Sequence, residues 1–230
     1  LGIRFVMDAL MKGGIPFHMK DAIPNLFAHW ISLDIIAYLR LVSGTGNTRA
    51  NWLRIMNRPN RYIKREALAP FTSDISVAQL KAYYQDKDWM LERLDRLEYD
   101  LSIMKRMSPY AAIHYLSNAM KYQDYLKDYA KEHHINEQEL LDVLNAVHES
   151  SQSCRTFAEW FTYIDTYTDE LQKQAKSPAS KDANNESGVC LCTLHCAKGL
   201  EYPIVFIPDI NEDNIPHARA AVDADLEEER

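Results

Sequence analysis

The densest set of chemically useful residues in this sequence lies in nine positions, Thr193 to Glu201. Backbone amides at Lys198 and Gly199 can approach a phosphate because glycine places no Cβ in the way. The Glu201 carboxylate can accept hydrogen bonds from ribose hydroxyls. The side chains of Thr193 and His195 can donate to the phosphates of a nucleic-acid backbone. The segment therefore has the chemistry to contact both a nucleotide and a nucleic acid.

Apolar residues on both sides predict that this segment joins two core strands, Val189 to Leu194 and Tyr202 to Pro208. The run Cys190 to Cys196 also holds three cysteines and a histidine at a spacing that suggests zinc. Cys190 and Cys192 alternate with apolar residues, however, and small thiols pack well in a buried strand. No metal site is therefore predicted.

The loop and the strand after it resemble motif V of the UvrD/Rep/PcrA-type DNA helicases, which reads T-x-H-x-A-K-G-L-E-(F/Y)-x-x-V-F. The matching positions are Thr193, His195, Ala197, Lys198, Gly199, Leu200, Glu201, Tyr202, Val205 and Phe206. The likeness continues through Pro216-His217-x-Arg219 to the acidic run Leu226 to Arg230, which in that family leads into motif VI.

This resemblance implies a role for each polar position of the loop. Thr193 and His195 would contact single-stranded DNA. Gly199 and Glu201 would face the nucleotide, and Lys198, which lies between the two groups, is assigned to the nucleotide as well. A loop of this kind can couple the ATP state to the grip on DNA, which a motor needs.

Three further segments resemble the same family. Arg4 to Phe17 resembles R-x-x-E-x-L-x-x-x-G-I-P-(Y/F), with Met7 or Asp8 where the family has glutamate. Its matching positions are Arg4, Leu10, Gly14, Ile15, Pro16 and Phe17. Asp34 to Leu41 follows D-x-x-A-Y-L-R-L, and Asn57 to Arg61 follows N-x-P-x-R. After the last of these the family usually has Gly-Ile-Gly, a turn whose amides grip duplex DNA. This sequence has Tyr62 to Lys64 there, and neither Tyr nor Lys adopts left-handed geometry cheaply.

Positive charge offers another way to hold duplex phosphates at this point. The chain has a net charge of −7, yet seven cations and no acid lie between positions 40 and 65. They are Arg40, Arg49, Arg54, Arg58, Arg61, Lys64 and Arg65. The block is either a phosphate-binding face or a set of solvated cations whose acids come from elsewhere in the fold. The resemblance favours the first, with Arg61, Lys64 and Arg65 on duplex DNA.

Apolar spacing predicts a mainly helical chain. Helices are expected over 3–12, from a Ser32 cap to Val42, over 48–56 and through most of 77–171, with a short strand at 15–19. Further helix starts are indicated at Ser108-Pro109 and at Asn136.

One helix carries apolar residues at alternating spacings of four and three: Met90, Leu94, Leu97, Leu101 and Met104. This pattern is typical either of a coiled-coil seam or of one side of a helix inside a bundle. We favour the bundle because the repeat is short.

The predicted architecture is mainly α, with a helical domain inserted into a partial α/β RecA-like domain of the P-loop NTPase type. Residues 1–22 and 187–230 would form the RecA-like part, 23–174 the insert, and 175–186 an exposed linker rich in Lys, Ser and Asn. In the helicase family these parts are the second motor domain and its accessory domain.

The resemblance implies a piece of an ATP-dependent DNA helicase that moves along single-stranded DNA and unwinds duplex in DNA repair. The parent would use ATP and Mg²⁺. This sequence contains no G-x-x-x-x-G-K-(S/T) loop, Walker B acids or motif VI arginine, so no catalytic residue is assigned. The chain alone is expected to bind no cofactor and to be inactive.

The expected partners are single-stranded and duplex DNA, the first motor domain of the same polypeptide, and repair proteins. A cytoplasmic location is expected because no apolar stretch could span a membrane and the four cysteines form no framework pattern. Two alternatives stay open: the helicase part of a RecB/AddA-like helicase-nuclease, or an insert that acts mainly as a regulatory, protein-docking module.

Overall fold

The computed structural model describes residues 6–7, 9–11, 13–20, 24–46, 48–176 and 188–208. The chain forms two compact units. The smaller unit comprises Leu1–Ile23 and Gln172–Arg230, and the larger comprises Pro24–Leu171. The chain is mainly helical, which confirms the predicted class.

The larger unit is built from a succession of helices. They are α1 (Trp30–Ser43), α2 (Thr48–Ile55), α3 (Val77–Tyr83), α4 (Asp88–Met104), α5 (Pro109–Asn118), α6 (Tyr122–His133), α7 (Glu137–Ser150) and α8 (Phe157–Lys176). Of two 3₁₀ turns, Leu26–Ala28 precedes α1 and Arg65–Leu68 lies between α2 and α3 in sequence. Helix α8 continues past the unit boundary, so positions 175 and 176 are helical and do not belong to a linker, while 177–187 lie outside the described residues.

Helix α1 begins earlier than predicted. His29 is its N-cap, with Nδ1 accepting a hydrogen bond from the Ile31 N–H at 3.3 Å. The prediction that Ser32 caps this helix is wrong, because Ser32 is fully buried inside it and donates its hydroxyl to the Leu26 carbonyl. At the other end Gly44 takes the left-handed conformation, with φ of 71°.

The other predicted helix starts are confirmed. The Ser108 hydroxyl accepts from a backbone N–H in the first turn of α5, with Pro109 at the first helical position. Asn136 caps α7 in the same way. A capping box not anticipated from the sequence begins α3, where the side chains of Ser76 and Gln79 each satisfy the other's backbone N–H.

The apolar repeat on α4 faces the interior of a helical bundle. Met90, Leu94, Leu97 and Met104 are at most 2% exposed. The helix packs against α1, α3 and α5, so its stripe is covered from several sides. The bundle interpretation is therefore correct, and the coiled-coil alternative is wrong.

Aromatic packing fixes α8 against the start of the larger unit. Phe27 is buried, and its ring meets Trp160, Tyr163 and Tyr167 edge-on at centroid distances of 6.2, 5.9 and 5.4 Å. Edge-to-face contacts of this kind contribute beyond the area they bury. Three successive turns of one helix thus converge on a single ring.

A buried carboxylate joins several elements of the same unit. Asp34 on α1 is fully buried, and Arg58 Nη1 donates to its two oxygens at 2.9 and 3.1 Å. Tyr122 of α6 donates its hydroxyl to Oδ2 at 2.9 Å. Arg54 Nε of α2 lies 2.8 Å from Oδ1. Burial raises the pKa of Asp34, although Arg58, Tyr122 and Arg54 each act to lower it.

The smaller unit contains a short parallel sheet. Strands β1 (Phe17–Met19) and β2 (Val189–Leu191) pair in parallel, with Phe17 opposite Val189 and Met19 opposite Leu191. Gly188 precedes β2 with φ of 133°, and a Cβ there would lie 2.5 Å from the Pro16 carbonyl oxygen. Only glycine fits this approach.

The predicted second strand, Tyr202 to Pro208, is wrong. These residues are irregular, and Ile204, Val205 and Phe206 are 74%, 63% and 88% exposed. Among the described residues the sheet has two strands, so the backbone here has no neighbour with which to form a ladder. The first predicted strand is also shorter than expected, because it ends at Leu191 and a helical turn begins at Leu194. The motif positions beyond 208 lie outside the described residues.

No helix in the described ranges is both long enough and apolar enough to cross a lipid bilayer.

We expect Arg58→Met to lower the free energy of unfolding by about 3 kcal/mol near neutral pH, because it leaves the buried Asp34 carboxylate short of its main counter-ion. Urea unfolding followed by circular dichroism measures the change. Arg106→Met, which removes an exposed guanidinium just after α4, is the matched control and should cost less than about 0.5 kcal/mol.

The effect of Arg58→Met on the free energy of unfolding should also depend on pH. A carboxyl whose folded-state pKa is raised favours the folded state most at low pH, and this contribution is lost as pH rises through the folded pKa. Arg58→Met should raise the pKa of Asp34 further, so its deficit relative to wild type should shrink as the pH falls from about 7 to about 5. A deficit independent of pH would contradict the proposed role of Asp34.

Candidate nucleotide and nucleic-acid sites

The loop predicted to contact nucleotide and DNA contains one helical turn. Helix α9 (Leu194–Ala197) follows β2 after a two-residue gap, and Thr193 is its N-cap, accepting from the Cys196 N–H at 3.2 Å. Gly199 then takes the left-handed conformation, with φ of 81°, and reverses the chain. The sequence indicated a plain hairpin loop because the four helical residues are too few to show a helical period.

The structure brings the five predicted residues of this loop to one exposed segment. Thr193, His195, Lys198, Gly199 and Glu201 are all exposed. The Lys198 amide donates to the His195 carbonyl at 3.3 Å. A Cβ at Gly199 would meet no atom within 4 Å, so glycine is needed there for its backbone conformation and not for space.

A small polar contact anchors the C-terminal end of this loop. The Tyr202 hydroxyl lies 3.6 Å from Cys190 Sγ on β2, and Lys20 Nζ lies 5.7 Å from the centre of the Tyr202 ring. The pKa of Lys20 is raised, mainly by its hydrogen bond to Tyr202. These contacts hold the loop beside the two strands.

The segment where the helicase family has Gly-Ile-Gly keeps one left-handed residue. Tyr62 has φ of 60°, and Asn60 Oδ1 accepts its N–H at 3.1 Å. Tyr62 thus adopts the left-handed geometry that was expected to be costly for it, whereas Lys64 is extended, with φ of −80° and ψ of 146°. Local hydrogen bonding by Asn60 supplies the stabilisation that a non-glycine residue needs here.

The backbone amides of this segment bond to the protein itself. Asn57 Oδ1 accepts from the N–H of Arg61 at 3.3 Å and of Ile63 at 2.9 Å, while its Nδ2 donates to the Ile63 carbonyl at 2.9 Å. The Lys64 N–H donates to the Tyr84 hydroxyl at 2.7 Å. With the Asn60 bond to Tyr62, four consecutive N–H groups have internal acceptors. A phosphate at this segment would therefore be held by side chains.

Most cations between positions 40 and 65 contact other residues of the larger unit. Arg54 and Arg58 pair with Asp34, and Arg49 Nε donates to the Leu68 carbonyl at 3.3 Å. Arg40 lies over the Phe161 ring, 5.9 Å from its centre. The acid that the sequence block lacks is thus supplied by α1.

The three cations predicted to bind duplex DNA divide into two kinds. Arg61 donates from Nη1 to the carbonyls of Ile55 and Pro59, at 3.1 and 3.2 Å, and is half-buried. Lys64 and Arg65 are exposed, and their side chains form no hydrogen bond or ion pair with the residues that the structure describes. Arg61 therefore shapes the segment, and the next two cations are available to a ligand.

An aromatic and cationic cluster beside Lys64 was not identified from the sequence. The Arg93 guanidinium carbon lies 5.0 Å from the centre of the Tyr62 ring and 5.1 Å from that of Trp89. Trp89 and Arg93 are four residues apart on α4, so the sequence could have predicted that their side chains meet. The contact of Tyr62 with Arg93 could not be predicted from the sequence, because it depends on how α4 packs against the segment before it.

No group of three or more metal-binding side chains is assembled within the described ranges.

The family of this chain is shown by comparison with known proteins. Residues 3–230 match the model of the UvrD-like helicase C-terminal domain, and the chain belongs to that family. Because the match covers nearly the whole chain, it includes both compact units.

Individual relatives have names consistent with this family. The chain is 27% identical over 246 residues to the ATP-dependent DNA helicase PcrA of Bacillus subtilis, which covers 99% of this chain and 32% of that protein. It is 27% identical over 253 residues to the ATP-dependent DNA helicase srs2 of Schizosaccharomyces pombe, covering 99% of this chain and 28% of the relative. The chain thus spans about a third of the length of these curated relatives.

The left-handed conformation at Tyr62 predicts an unusual order of stability. Tyr62→Val should be about 1–2 kcal/mol less stable than Tyr62→Gly, because a β-branched residue tolerates positive φ poorly. At Tyr99, an exposed position inside α4, the order should reverse because glycine weakens a helix. Urea unfolding of the four variants measures both differences. The same order of stability at both positions would contradict a left-handed conformation at Tyr62.

Proposed function

We propose that this chain is part of an ATP-dependent DNA helicase that moves along single-stranded DNA and separates duplex. The smaller unit would belong to the second RecA-like motor domain, and the larger unit would be its inserted accessory domain. Support comes from the family match over residues 3–230 and from the exposure of all five predicted contact positions of the loop from Thr193 to Glu201.

In this proposal the loop links two ligands. Thr193 and His195 contact the phosphates of single-stranded DNA. Lys198, Gly199 and Glu201 face ATP, which with Mg²⁺ binds between this domain and the first motor domain of the same polypeptide. Closure of the two domains on ATP would move this loop and change its hold on the strand. The cytoplasmic parent protein would act in DNA repair.

The larger unit would hold duplex DNA through Lys64 and Arg65. The observation that carries this assignment is the contrast within one segment: its amides and Arg61 are bonded internally, while Lys64 and Arg65 are exposed. Two neighbouring cations that have no acceptor among the described residues form a site for backbone phosphates, which bind independently of sequence.

Reversing both charges in Lys64→Glu/Arg65→Glu should weaken binding of the chain to duplex DNA by at least about tenfold. The slope of log affinity against log salt concentration should become shallower by about 2, because two phosphate contacts are lost. Fluorescence anisotropy with a labelled duplex over a range of salt measures both.

The matched control is Lys105→Glu/Arg106→Glu, which makes the same charge change at two exposed positions after α4. It should alter the slope by much less. An equal effect of the two double variants would indicate net charge alone. No effect of either would overturn the assignment of Lys64 and Arg65.

The chain by itself should not hydrolyse ATP, because its sequence supplies no phosphate loop, no Walker B acids and no motif VI arginine. Phosphate release from ATP and Mg²⁺, measured with and without single-stranded DNA, tests this. DNA-stimulated turnover by the purified chain would refute it.

The internal use of the segment's amides also favours a second candidate, in which the larger unit mainly docks regulatory or repair proteins. The duplex titration separates the two, since a docking module would keep its weak DNA binding after the reversal of Lys64 and Arg65. Whether the parent is instead a RecB/AddA-like helicase-nuclease depends on a nuclease domain in the full-length sequence.

A further inference from the structure

Two large aromatic rings stand at the surface of the larger unit with a cation against both. Tyr62 is 59% exposed and Trp89 is 50% exposed. The Arg93 guanidinium carbon lies 5.0 and 5.1 Å from their ring centres. The rings come from different elements, since Tyr62 lies in the segment before the Arg65–Leu68 turn and Trp89 in the first turn of α4.

The exposure of these rings is not required by the core. Trp52 and Trp160 are at most 2% exposed, as expected for the residue with most apolar area to bury. Tyr62 moreover keeps a left-handed conformation, which the hydrogen bond from its N–H to Asn60 supports, while its ring is 59% exposed. An unusual backbone conformation that keeps a large ring at the surface points to a binding role for that ring.

Tyr62 of this cluster lies two and three residues before the cations assigned to duplex phosphates. The Lys64 N–H is bonded to the Tyr84 hydroxyl, and Lys87 Nζ lies 5.9 Å from the centre of the Tyr84 ring. Tyr84 thus places Lys64 and Lys87 at the same part of the surface. The exposed acids Asp88 and Glu92 flank Trp89 on α4, so charge alone does not make this face attractive to a polyanion.

We propose that Tyr62 and Trp89 form a stacking site for unpaired bases next to the duplex held by Lys64 and Arg65. Base–aromatic stacking accepts any base because every base has a π-face. Arg93 contacts both rings and can pair with a phosphate of the same strand. The inference rests on the proposed function, and it adds that this unit recognises the point at which a duplex gives way to unpaired nucleotides.

The test compares three DNAs: a duplex with a single-stranded tail, the tail sequence alone, and a closed dumbbell duplex without ends or unpaired bases outside its loops. Trp89→Ala and Tyr62→Asn should each weaken binding of the chain to the first two by about tenfold and change binding to the dumbbell stem by less than twofold. Asparagine is used at position 62 because it tolerates the left-handed conformation.

Two further variants serve as controls. Tyr99→Ala removes a 62% exposed ring from the same helix and should change none of the three affinities. Trp89→Phe keeps an aromatic face and should bind the tailed duplex within about threefold of wild type. Circular dichroism confirms that each variant is folded.

Tryptophan fluorescence gives a second readout of contact. Unpaired bases stacked on Trp89 should quench its emission, so the quenching that the tailed duplex causes in wild type should be reduced in Trp89→Phe. The dumbbell should produce no such difference. Equal quenching in both proteins would overturn the site.

The two proposals fail in different ways. If reversing Lys64 and Arg65 weakens binding while Trp89→Ala changes nothing, the stacking site is wrong and the duplex assignment stands. An equal loss on all three DNAs in Trp89→Ala would also overturn the stacking site. Unchanged binding in every variant would reject both, which is the result expected if this face docks a protein.

Discussion

The larger unit depends on one buried negative charge. Asp34 on α1 is fully buried and receives contacts from α2, from the segment after α2 and from α6, through Arg54, Arg58 and Tyr122. A buried carboxylate is costly unless hydrogen bonds and counter-ions surround it, so these elements are held where they satisfy it. Because Arg58 leads directly into the segment that ends at Lys64, the same interaction positions the candidate duplex site.

A second constraint follows from the hydrogen bonds of that segment. Asn57 and Asn60 accept the N–H groups of Arg61, Tyr62 and Ile63, and Tyr84 accepts that of Lys64. With its backbone satisfied, the segment presents side chains: the cations of Lys64 and Arg65 and the ring of Tyr62. A turn of glycines would offer amides at this place, whereas the proposed duplex site would use these side chains.

In the described part of the smaller unit, the polar loop follows a short parallel sheet. Two three-residue strands and the contact of Tyr202 with Cys190 are the described framework, and the apolar residues Ile204 to Phe206 after the loop are exposed. An exposed apolar row of this kind can form an interaction surface. This fits the proposal that the first motor domain of the same polypeptide closes on this domain.

The sequence by itself determined the helical class, the starts of α5 and α7, the buried face of α4 and the motif that defines the family. These follow from local spacing and capping chemistry. The tertiary structure decided which cations are internal, since Asp34 lies far from Arg58 in the chain, and it alone joined Tyr62 to Trp89. It also decided against a strand at Tyr202 to Pro208, because a strand forms only where a neighbour pairs with it. Long-range pairing and packing cannot be read from local pattern, and they set the side chains that face a ligand.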